Sequence, residues 1–473
     1  MPRAGTLPLV LTGVFITILD FFIVNVAIPA IQADLDAGAA STEWVVAGYG
    51  LAYGSGLVLG GRLGDLLGRR RMFTLGMALF TLASIACGLA PDAGTLVAAR
   101  LAQGLAAAAL TPQVLAILRT VYSGPAQARA LNTYAMTMGL AAVFGQLVGG
   151  ALIQADLFGL GWRACFLINV PIGVTALALT GRLIPENRSG TSARLDLGGT
   201  ALVTLALVAI LLPLIEGREQ GWPLWTWLSL AAAVALFAAY GRRRHESPLI
   251  DLTLFRERAF TAGLLTQLAF TMGMAAYFLI FALYVQGGVG LDALQAGLLF
   301  APIGAGYLAA SLLAPRFVAR LGRQAIALGG LVRAAGLAVL LVMVAAEAAV
   351  GWLVPALVVD GFGMGLALAP IMSTVLARVA PHHAGSAAGV LTTTQQVGSA
   401  LGVGIVGIVF YGSLSDGAGQ AFQHGLIYLI AVALAIAGLV QLLPRRRRQH
   451  PCRRDREGAR RMTDPNELGR RIP

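Results

Sequence analysis

Long apolar runs recur along almost the whole chain, separated by short polar segments. Each run has about twenty residues, which as a helix is enough to cross the roughly 30 Å hydrocarbon core of a bilayer. The pattern predicts an all-α membrane protein with fourteen transmembrane helices, here called spans 1 to 14. The runs lie at residues 7–30, 43–63, 72–90, 94–118, 131–153, 162–184, 197–215, 222–241, 259–285, 293–317, 324–346, 350–377, 386–412 and 424–443.

The arginines between the spans alternate with loop parity. If the N-terminus lies inside, external loops hold only Arg163 and Arg218. The positive-inside rule then predicts an even number of spans, with both termini in the cytoplasm, in the inner membrane of a prokaryote. The internal segments hold Arg3, Arg62, Arg69 to Arg71, Arg119, Arg129, Arg182, Arg188, Arg194, Arg242 to Arg244, Arg256, Arg258, Arg316, Arg320, Arg323 and Arg378.

Short motifs occur twice at matching places. Span 5 contains GQLVGG at 145–150, and span 13 contains GSALGV at 398–403. Spans 4 and 12 both have small residues followed by proline, at Pro112 and Pro370, where each helix is expected to end. These matches pair spans 1 to 6 with spans 9 to 14 and predict repeated halves of the kind that transporters often carry.

The repeat predicts a 6 + 2 + 6 plan, in which spans 7 and 8 form an insertion between two six-helix halves. We expect the following boundaries: a first half at 1–190, the inserted helices at 191–245, a second half at 246–444 and a disordered basic cytoplasmic tail at 445–473.

The composition agrees with a membrane protein, since 57% of residues are hydrophobic and 12% are charged. The sequence contains no lysine, so a phosphate-binding loop of the G-x-x-x-x-G-K-[ST] type is excluded. Any uphill transport must draw on an ion gradient or a partner. The three cysteines, Cys87, Cys165 and Cys452, have neither disulfide nor metal-site spacing and are expected to be apolar filler.

The basic tail accounts for most of the net charge. Its eleven arginines and four acidic residues contribute +7 of the formal +12. Attraction to anionic membrane lipids is the favoured interpretation, and nucleic-acid binding is not expected.

Several motifs, in order along the chain, resemble the fourteen-span drug:proton antiporter branch of the major facilitator superfamily. This resemblance implies export of a hydrophobic small molecule, such as a drug or antibiotic, in exchange for protons. It also implies a monomer that is not an enzyme, carries no cofactor and is driven by the proton gradient. The motifs are LDFFIVNVAIP at 19–29, GGRLGDLLGRRR at 60–71, RLAQGLAAAALTP at 100–112, WRACFLINVPIG at 162–173 and TTTQQVGSALG at 392–402.

Two positions depart from that branch. Span 5 has Gly145-Gln146 where the antiporters usually have Gly-Pro, and span 10 carries no acidic residue. The first departure keeps proton-coupled uptake of a nutrient open as an alternative, and a non-transporting membrane sensor is a further one. The second argues against dicationic substrates.

Four charged residues lie well inside the predicted spans: Asp20, Arg100, Arg333 and Asp360. Each costs roughly 2.5 to 3.5 kcal/mol there, so each should face a partner or a cavity. Counting residues from the span ends puts Asp20 and Arg100 at one depth, and Arg333 and Asp360 near the midplane. The resemblance implies proton coupling for Asp20 and Arg100, with a static ion pair as the alternative. Depth alone suggests an intramembrane pair of Arg333 and Asp360, with substrate or proton binding as the alternative.

Two glycine-containing motifs are candidate moving parts. The resemblance implies a cytoplasmic latch between spans 2 and 3, although positive-inside sorting would also explain its arginines. Span 5 carries candidate gating glycines, for which ordinary tight helix packing is the alternative. The latch residues are Gly61, Asp65, Gly68, Arg69 and Arg70, and the span 5 glycines are Gly145, Gly149 and Gly150.

Polar and aromatic residues within the apolar spans are candidates for the substrate cavity. Hydrogen bonding between helices is the alternative for each of them. They are Asn25, Tyr49, Tyr53, Gln103, Gln113, Gln146, Tyr277, Gln395 and Gln396.

Overall fold

The computed structural model of the chain describes residues 5–186, 196–243, 257–376 and 384–443. Within these residues there are fourteen long helices and no strand. They are numbered to follow the predicted spans: α1 Thr6–Leu35, α2 Ala39–Leu67, α3 Arg69–Gly88, α4 Ala93–Val121, α5 Gly124–Ala155, α6 Gly161–Leu183, α7 Leu197–Glu219, α8 Leu224–Arg242, α9 Arg258–Leu283, α10 Ala293–Leu321, α11 Gln324–Ala345, α12 Leu353–Leu376, α13 Ala384–Gly412 and α14 Ala418–Leu439.

Thirteen helices of the described chain are long and apolar enough to cross a membrane. The remaining long helix, α2, has 29 residues but is rich in glycine and carries Glu43, Arg62 and Asp65. Large apolar side chains such as Leu82 and Leu312 are exposed on the outside of the bundle, as expected for surfaces that face lipid. The chain is therefore an all-α, multi-pass membrane protein.

Glycines allow α2 and α4 to pack closely. A Cβ atom at Gly60 of α2 would overlap the backbone carbonyl of Ala108, and one at Gly104 of α4 would overlap the carbonyl of Tyr49. Small residues at such positions let helix backbones approach in a membrane, where apolar burial does not drive association.

The same helix pairings occur twice. In the first six helices α1 packs on α5, α4 packs on both α2 and α3, and α3 packs on α6. In the last six, α9 packs on α13, α12 packs on both α10 and α11, and α11 packs on α14. The glycines of the predicted repeat follow this pattern, since Gly145 and Gly149 lie against α1 whereas Gly398 and Gly402 lie against α9.

The two groups of six helices meet along two pairs, α2 with α13 and α5 with α10. The Thr393 hydroxyl donates to the Gly54 carbonyl at 3.1 Å, and Gly150 lies against the backbone of Ala293. We call the end of the bundle where α1 leads into α2 the Asp36 end. The opposite end, where Gly68 joins α2 to α3, is the Gly68 end. Gly150 and Ala293 lie in the part of the interface toward the Asp36 end.

Helices α7 and α8 form a hairpin beside the bundle. They pack on each other, and α7 also contacts α2 and α13. The exposed side of α8 is apolar, with Leu224 and Val234 more than two-thirds exposed. Among the described residues, α7 is thus the helix of the hairpin that packs on both six-helix groups.

Two expectations about helix ends are wrong. Asp65 and Arg69 do not lie in a loop, because α2 continues to Leu67 and α3 begins at Arg69, with only Gly68 between them at a φ of 103°. Pro112 and Pro370 do not end their helices, which run on to Val121 and Leu376. Proline inside a membrane helix is tolerated because neighbouring groups satisfy the freed carbonyl.

Several predictions fall outside the described residues. These are the basic tail at 445–473 with Cys452, the boundaries at 190 and 245, and the loop arginines Arg3, Arg188, Arg194, Arg244, Arg256 and Arg378.

Candidate functional site

Asp20 lies fully buried in the middle of α1, and its carboxylate receives hydrogen bonds on both oxygens. Arg100 of α4 donates through Nη1 to Oδ2 at 2.5 Å. Gln103 of α4 and Asn169 of α6 each donate to Oδ1 at 2.8 Å. A buried carboxylate needs such donors, because in lipid no water compensates its charge.

The guanidinium of Arg100 is held from several sides. Its Nε donates to the Val45 carbonyl at 2.9 Å, and its Nη1 also donates to Gln103 at 2.7 Å. The Tyr49 ring lies 4.3 Å from the guanidinium carbon, which is a cation–π contact. Arg100 therefore joins α1, α2 and α4 at one point.

Ser84 of α3 completes the cluster. Its hydroxyl accepts from Gln103 at 2.8 Å and from Asn169 at 3.3 Å. The Cys87 thiol lies 3.5 Å from the Gln103 carbonyl oxygen. Side chains from five helices of the first half, α1, α2, α3, α4 and α6, thus meet around one carboxylate.

A second buried ion pair lies in the last six helices. Arg333 of α11 donates through Nε to Asp360 of α12 at 3.2 Å and through Nη2 to the Gly273 carbonyl of α9 at 3.1 Å. Both side chains are at most 2% exposed. In the described part of the chain, Asp360 Oδ2 and Arg333 Nη1 have no hydrogen-bond partner. The two charges predicted from depth therefore lie in contact, with fewer donors than Asp20 has.

The residues of the predicted latch lie at the Gly68 end. Arg69 pairs with Asp65 at 3.2 Å and donates to the Ala116 carbonyl of α4 at 3.2 Å. Arg70 lies 3.3 Å from Glu186, which follows α6. Gly61 faces Pro112 of α4 at ordinary contact distance.

The span 5 glycines divide between two neighbours. Gly145 and Gly149 face α1 within the first half, whereas Gly150 faces Ala293 of α10 in the other half. Of the three, Gly150 is thus the one at the interface between the halves.

The candidate cavity residues also divide into groups. Gln103 belongs to the Asp20 cluster, and Gln113 donates to the Gly60 carbonyl at 2.8 Å, which ties α4 to α2. Gln396 packs on Gly54 at the contact between α13 and α2. Tyr49 donates to the Thr17 carbonyl at 3.1 Å.

Three other cavity candidates keep buried polar atoms that have no hydrogen-bond partner in the described part of the chain. These are the Asn25 Oδ1 atom, the Gln146 side-chain amide and the Tyr277 hydroxyl. Tyr53 is buried, and Gln395 is half-buried in α13. Orphan polar atoms in a buried region are suited to binding a polar group of a ligand.

Comparison with known proteins identifies the family. The sequence profile of the Major Facilitator Superfamily matches residues 10–403. The chain belongs to the major facilitator superfamily. Members of this superfamily are membrane transporters and not enzymes.

Curated relatives of this superfamily member include an antibiotic transporter and an antibiotic resistance protein. The probable actinorhodin transporter of Streptomyces coelicolor is 36% identical over an alignment covering 89% of this chain and 75% of that protein. The puromycin resistance protein pur8 of Streptomyces alboniger is 37% identical, and the alignment covers 92% of this chain and 88% of that protein.

Solved structures agree in fold. A POT family transporter in complex with 5-aminolevulinic acid matches this superfamily member with a TM-score of 0.69 at 15% identity, over 93% of this chain and 98% of that one. A D-xylose-proton symporter matches with a TM-score of 0.66 at 15% identity, over 93% and 97% of the two chains. At this identity the likeness concerns the fold alone.

Ser84 and Asn169 of this transporter were not among the predicted site residues. Asn169 is the one strongly polar residue in the apolar stretch FLINVPIG, and that signal could have singled it out. Ser84 lies in ASIACG, where a small hydroxyl side chain is common in membrane helices and gives no signal. Within the described residues, no group of three or more His, Cys, Asp or Glu side chains could hold a metal ion.

Proposed function

We propose that this superfamily member exports a hydrophobic small molecule, such as an antibiotic or another drug, across the cytoplasmic membrane in exchange for protons. The observation that carries the proposal is the buried Asp20 carboxylate paired with the cation Arg100 on a neighbouring helix. Two of the relatives, an antibiotic transporter and an antibiotic resistance protein, support the direction of transport.

The chemistry of the Asp20 cluster suits proton exchange. Burial favours the neutral carboxylic acid, whereas the contact with Arg100 favours the carboxylate. A movement that lengthens the contact between the two side chains therefore promotes proton binding, and its re-formation promotes release. Asp20, Gln103 and Asn169 lie on three helices, so a rearrangement of the first half reaches this carboxylate directly.

We infer a 6 + 2 + 6 arrangement of fourteen transmembrane helices, with α2 as the fourteenth span and both termini in the cytoplasm. The pairings repeated between the first and last six helices support this plan, and α7 and α8 are then the insertion. A helix as polar as α2 suits a bilayer only because its glycine face is covered by α4 and α13. In this orientation the Asp36 end is extracellular and the latch residues face the cytoplasm.

We propose that the protein acts as a monomer and binds its substrate between the two halves. Membrane lipids surround it. Asn25, Gln146 and Tyr277 offer hydrogen-bonding atoms, and the aromatic rings of Phe22 and Phe278, 5.1 Å apart, offer an apolar surface. Such a mixture suits a hydrophobic compound with a few polar groups.

Everted membrane vesicles test the proposal. Respiration acidifies their interior, and a pH-sensitive dye reports the release of protons when a substrate is added. We expect dequenching with at least one member of a panel of cationic, neutral and anionic hydrophobes that includes puromycin, and no dequenching in Asp20→Asn. Full proton-driven export by Asp20→Asn would contradict the proposal. Quenching that deepens on addition of substrate would instead indicate symport.

A further inference from the structure

A charged cluster outside the Asp20 site joins three helices at the Asp36 end. Arg218, in the last turn of α7, donates through Nη1 to the Gly407 carbonyl of α13 at 2.5 Å. The same nitrogen lies 3.2 Å from Glu43 of α2, and the guanidinium lies 4.8 Å from the ring of Tyr411 of α13. One side chain of the inserted hairpin thus contacts both six-helix halves.

Glu43 depends on this contact. Its side chain is 0% exposed although it lies only one turn from the start of α2. The carboxylate packs directly against Gly407, where any Cβ atom would overlap its oxygens. A carboxylate buried in this way needs a cation, and Arg218 lies close enough to supply it.

The other polar contacts of α7 favour α2 over α13. Trp44 Nε1 of α2 donates to Glu216 at 3.0 Å, and the Ala40 backbone N–H donates to Glu219 at 3.0 Å. Toward α13, by contrast, Leu214 and Ile215 make apolar contact with Gly404. The polar links between α7 and α13 described here are the bond from Arg218 to the Gly407 carbonyl and its contact with Tyr411.

These contacts determine from which half the hairpin can separate with the smaller loss of free energy. An exporter that opens toward the Asp36 end must separate α2 from α13, so α7 has to remain with one of them. Leaving α2 would break the Glu43 ion pair and two further hydrogen bonds. Leaving α13 breaks one bond to a neutral carbonyl, one ring contact and the apolar contacts with Gly404, and it keeps the buried charges together.

We propose that the inserted helices α7 and α8 move with the first six-helix half, and that Arg218 fastens them to α13 only while the Asp36 end is closed. The inference rests on the proposed function, since it requires a transporter that opens at this end. Arg218 is in this sense a positioning residue, because it acts on the interface between the halves and not on the substrate or Asp20.

Distances between spin labels test which half the hairpin follows. Cysteines at three exposed positions of the Asp36 end, Ala33→Cys on α1, Leu224→Cys on α8 and Ser415→Cys beyond α13, are introduced in pairs into a chain without its native cysteines. Pulsed electron paramagnetic resonance in lipid nanodiscs then gives the distribution of distances between the two labels of each pair. It is measured at acidic and alkaline pH, with and without puromycin.

We expect the distances from Ser415 to Ala33 and from Ser415 to Leu224 to change together, while that from Ala33 to Leu224 stays constant. A constant distance from Leu224 to Ser415 with a changing distance from Ala33 to Leu224 would overturn the inference and leave the proposed function intact. If no pair changes under any condition, alternating opening fails, and both proposals fall with it.

Charge removal tests the role of Arg218. In the double variant Glu43→Gln, Arg218→Gln, no buried charge is left without a partner, so the protein should fold. We expect the population that is open at the Asp36 end, measured by the same spin-label distances, to rise about fivefold or more. The matched control is Glu216→Gln, because the Glu216 side chain accepts a hydrogen bond from Trp44 of α2. This substitution should leave the open population unchanged. An unchanged open population in the folded double variant would overturn the fastening role.

Discussion

The two buried ion pairs differ in how completely their charges are satisfied. Asp20 receives hydrogen bonds on both oxygens, from Arg100, Gln103 and Asn169. Asp360 is bound through one oxygen by Arg333. A buried ion pair with few additional donors adds little stability over an apolar pair of similar size. Apolar residues should therefore be able to replace Arg333 and Asp360, but not Arg100 and Asp20.

This difference predicts opposite outcomes for single and double substitutions of the second pair. Arg333→Leu leaves Asp360 buried without its cation and should destabilise the protein by about 3 to 5 kcal/mol. The double variant Arg333→Leu, Asp360→Leu should recover most of this loss, as measured by thermal unfolding in detergent. A double variant as unstable as the single one would argue against a mainly structural pair.

At the Asp20 cluster, the shape of the cation matters as much as its charge. Arg100 bonds at once to Asp20, Gln103 and the Val45 carbonyl, and the ammonium of a lysine cannot span these three acceptors. Since a hydrogen bond to a charged group contributes about 1.5 to 3 kcal/mol, Arg100→Lys should lower transport by about tenfold or more. Vesicle assays normalised to the amount of inserted protein measure this. Transport at the wild-type rate would show that a point charge suffices.

Among the elements, α2 and α4 approach each other closely, and neighbouring glycines of α2 allow a matched test. A Cβ atom at Gly60 would overlap the Ala108 backbone, whereas one at Gly61 would lie 3.7 Å from Pro112. Gly60→Ala should therefore cost about 1 to 3 kcal/mol of stability, and Gly61→Ala should cost little. Thermal unfolding of the two purified variants gives the comparison, and equal melting temperatures would contradict the close packing of α2 on α4.

Sequence reasoning located the elements well because the bilayer imposes a length and a polarity on each span. It failed where the helix and the apolar run end at different residues. Asp65 is polar yet helical, since nothing requires a helix to stop at the edge of the hydrocarbon core, and Pro112 is followed by nine further helical residues. Residue depth was enough to bring Arg333 to Asp360, but depth does not give the rotation about each helix axis, which decides that Ser84 and Asn169 face the Asp20 cluster.

For the whole molecule, the contact between the halves at the Asp36 end marks one state of the cycle. Gly150 lies against the Ala293 backbone in this contact, so a larger side chain there would oppose closure. Gly150→Val should therefore favour opening at this end and speed the labelling of a buried reporter, Ala27→Cys, by about fivefold or more. A membrane-impermeant maleimide measures the rate.

The control for Gly150 is Gly181→Val in α6, because a Cβ atom at Gly181 would meet nothing within 4 Å. It should leave the labelling rate of Ala27→Cys unchanged. Equal rates in Gly150→Val and wild type would mean that Gly150 does not limit closure of the halves.

The Asp20 cluster also bears on how the cell avoids damage while the protein is being made. Its side chains come from α1, α2, α3, α4 and α6, so the charged site is complete only after about 170 residues have been inserted and assembled. A chain arrested earlier holds an isolated carboxyl in lipid, where the neutral form is favoured and no neighbouring cation draws its proton away. Truncated or stalled chains would then be poor proton conductors, which protects the membrane potential.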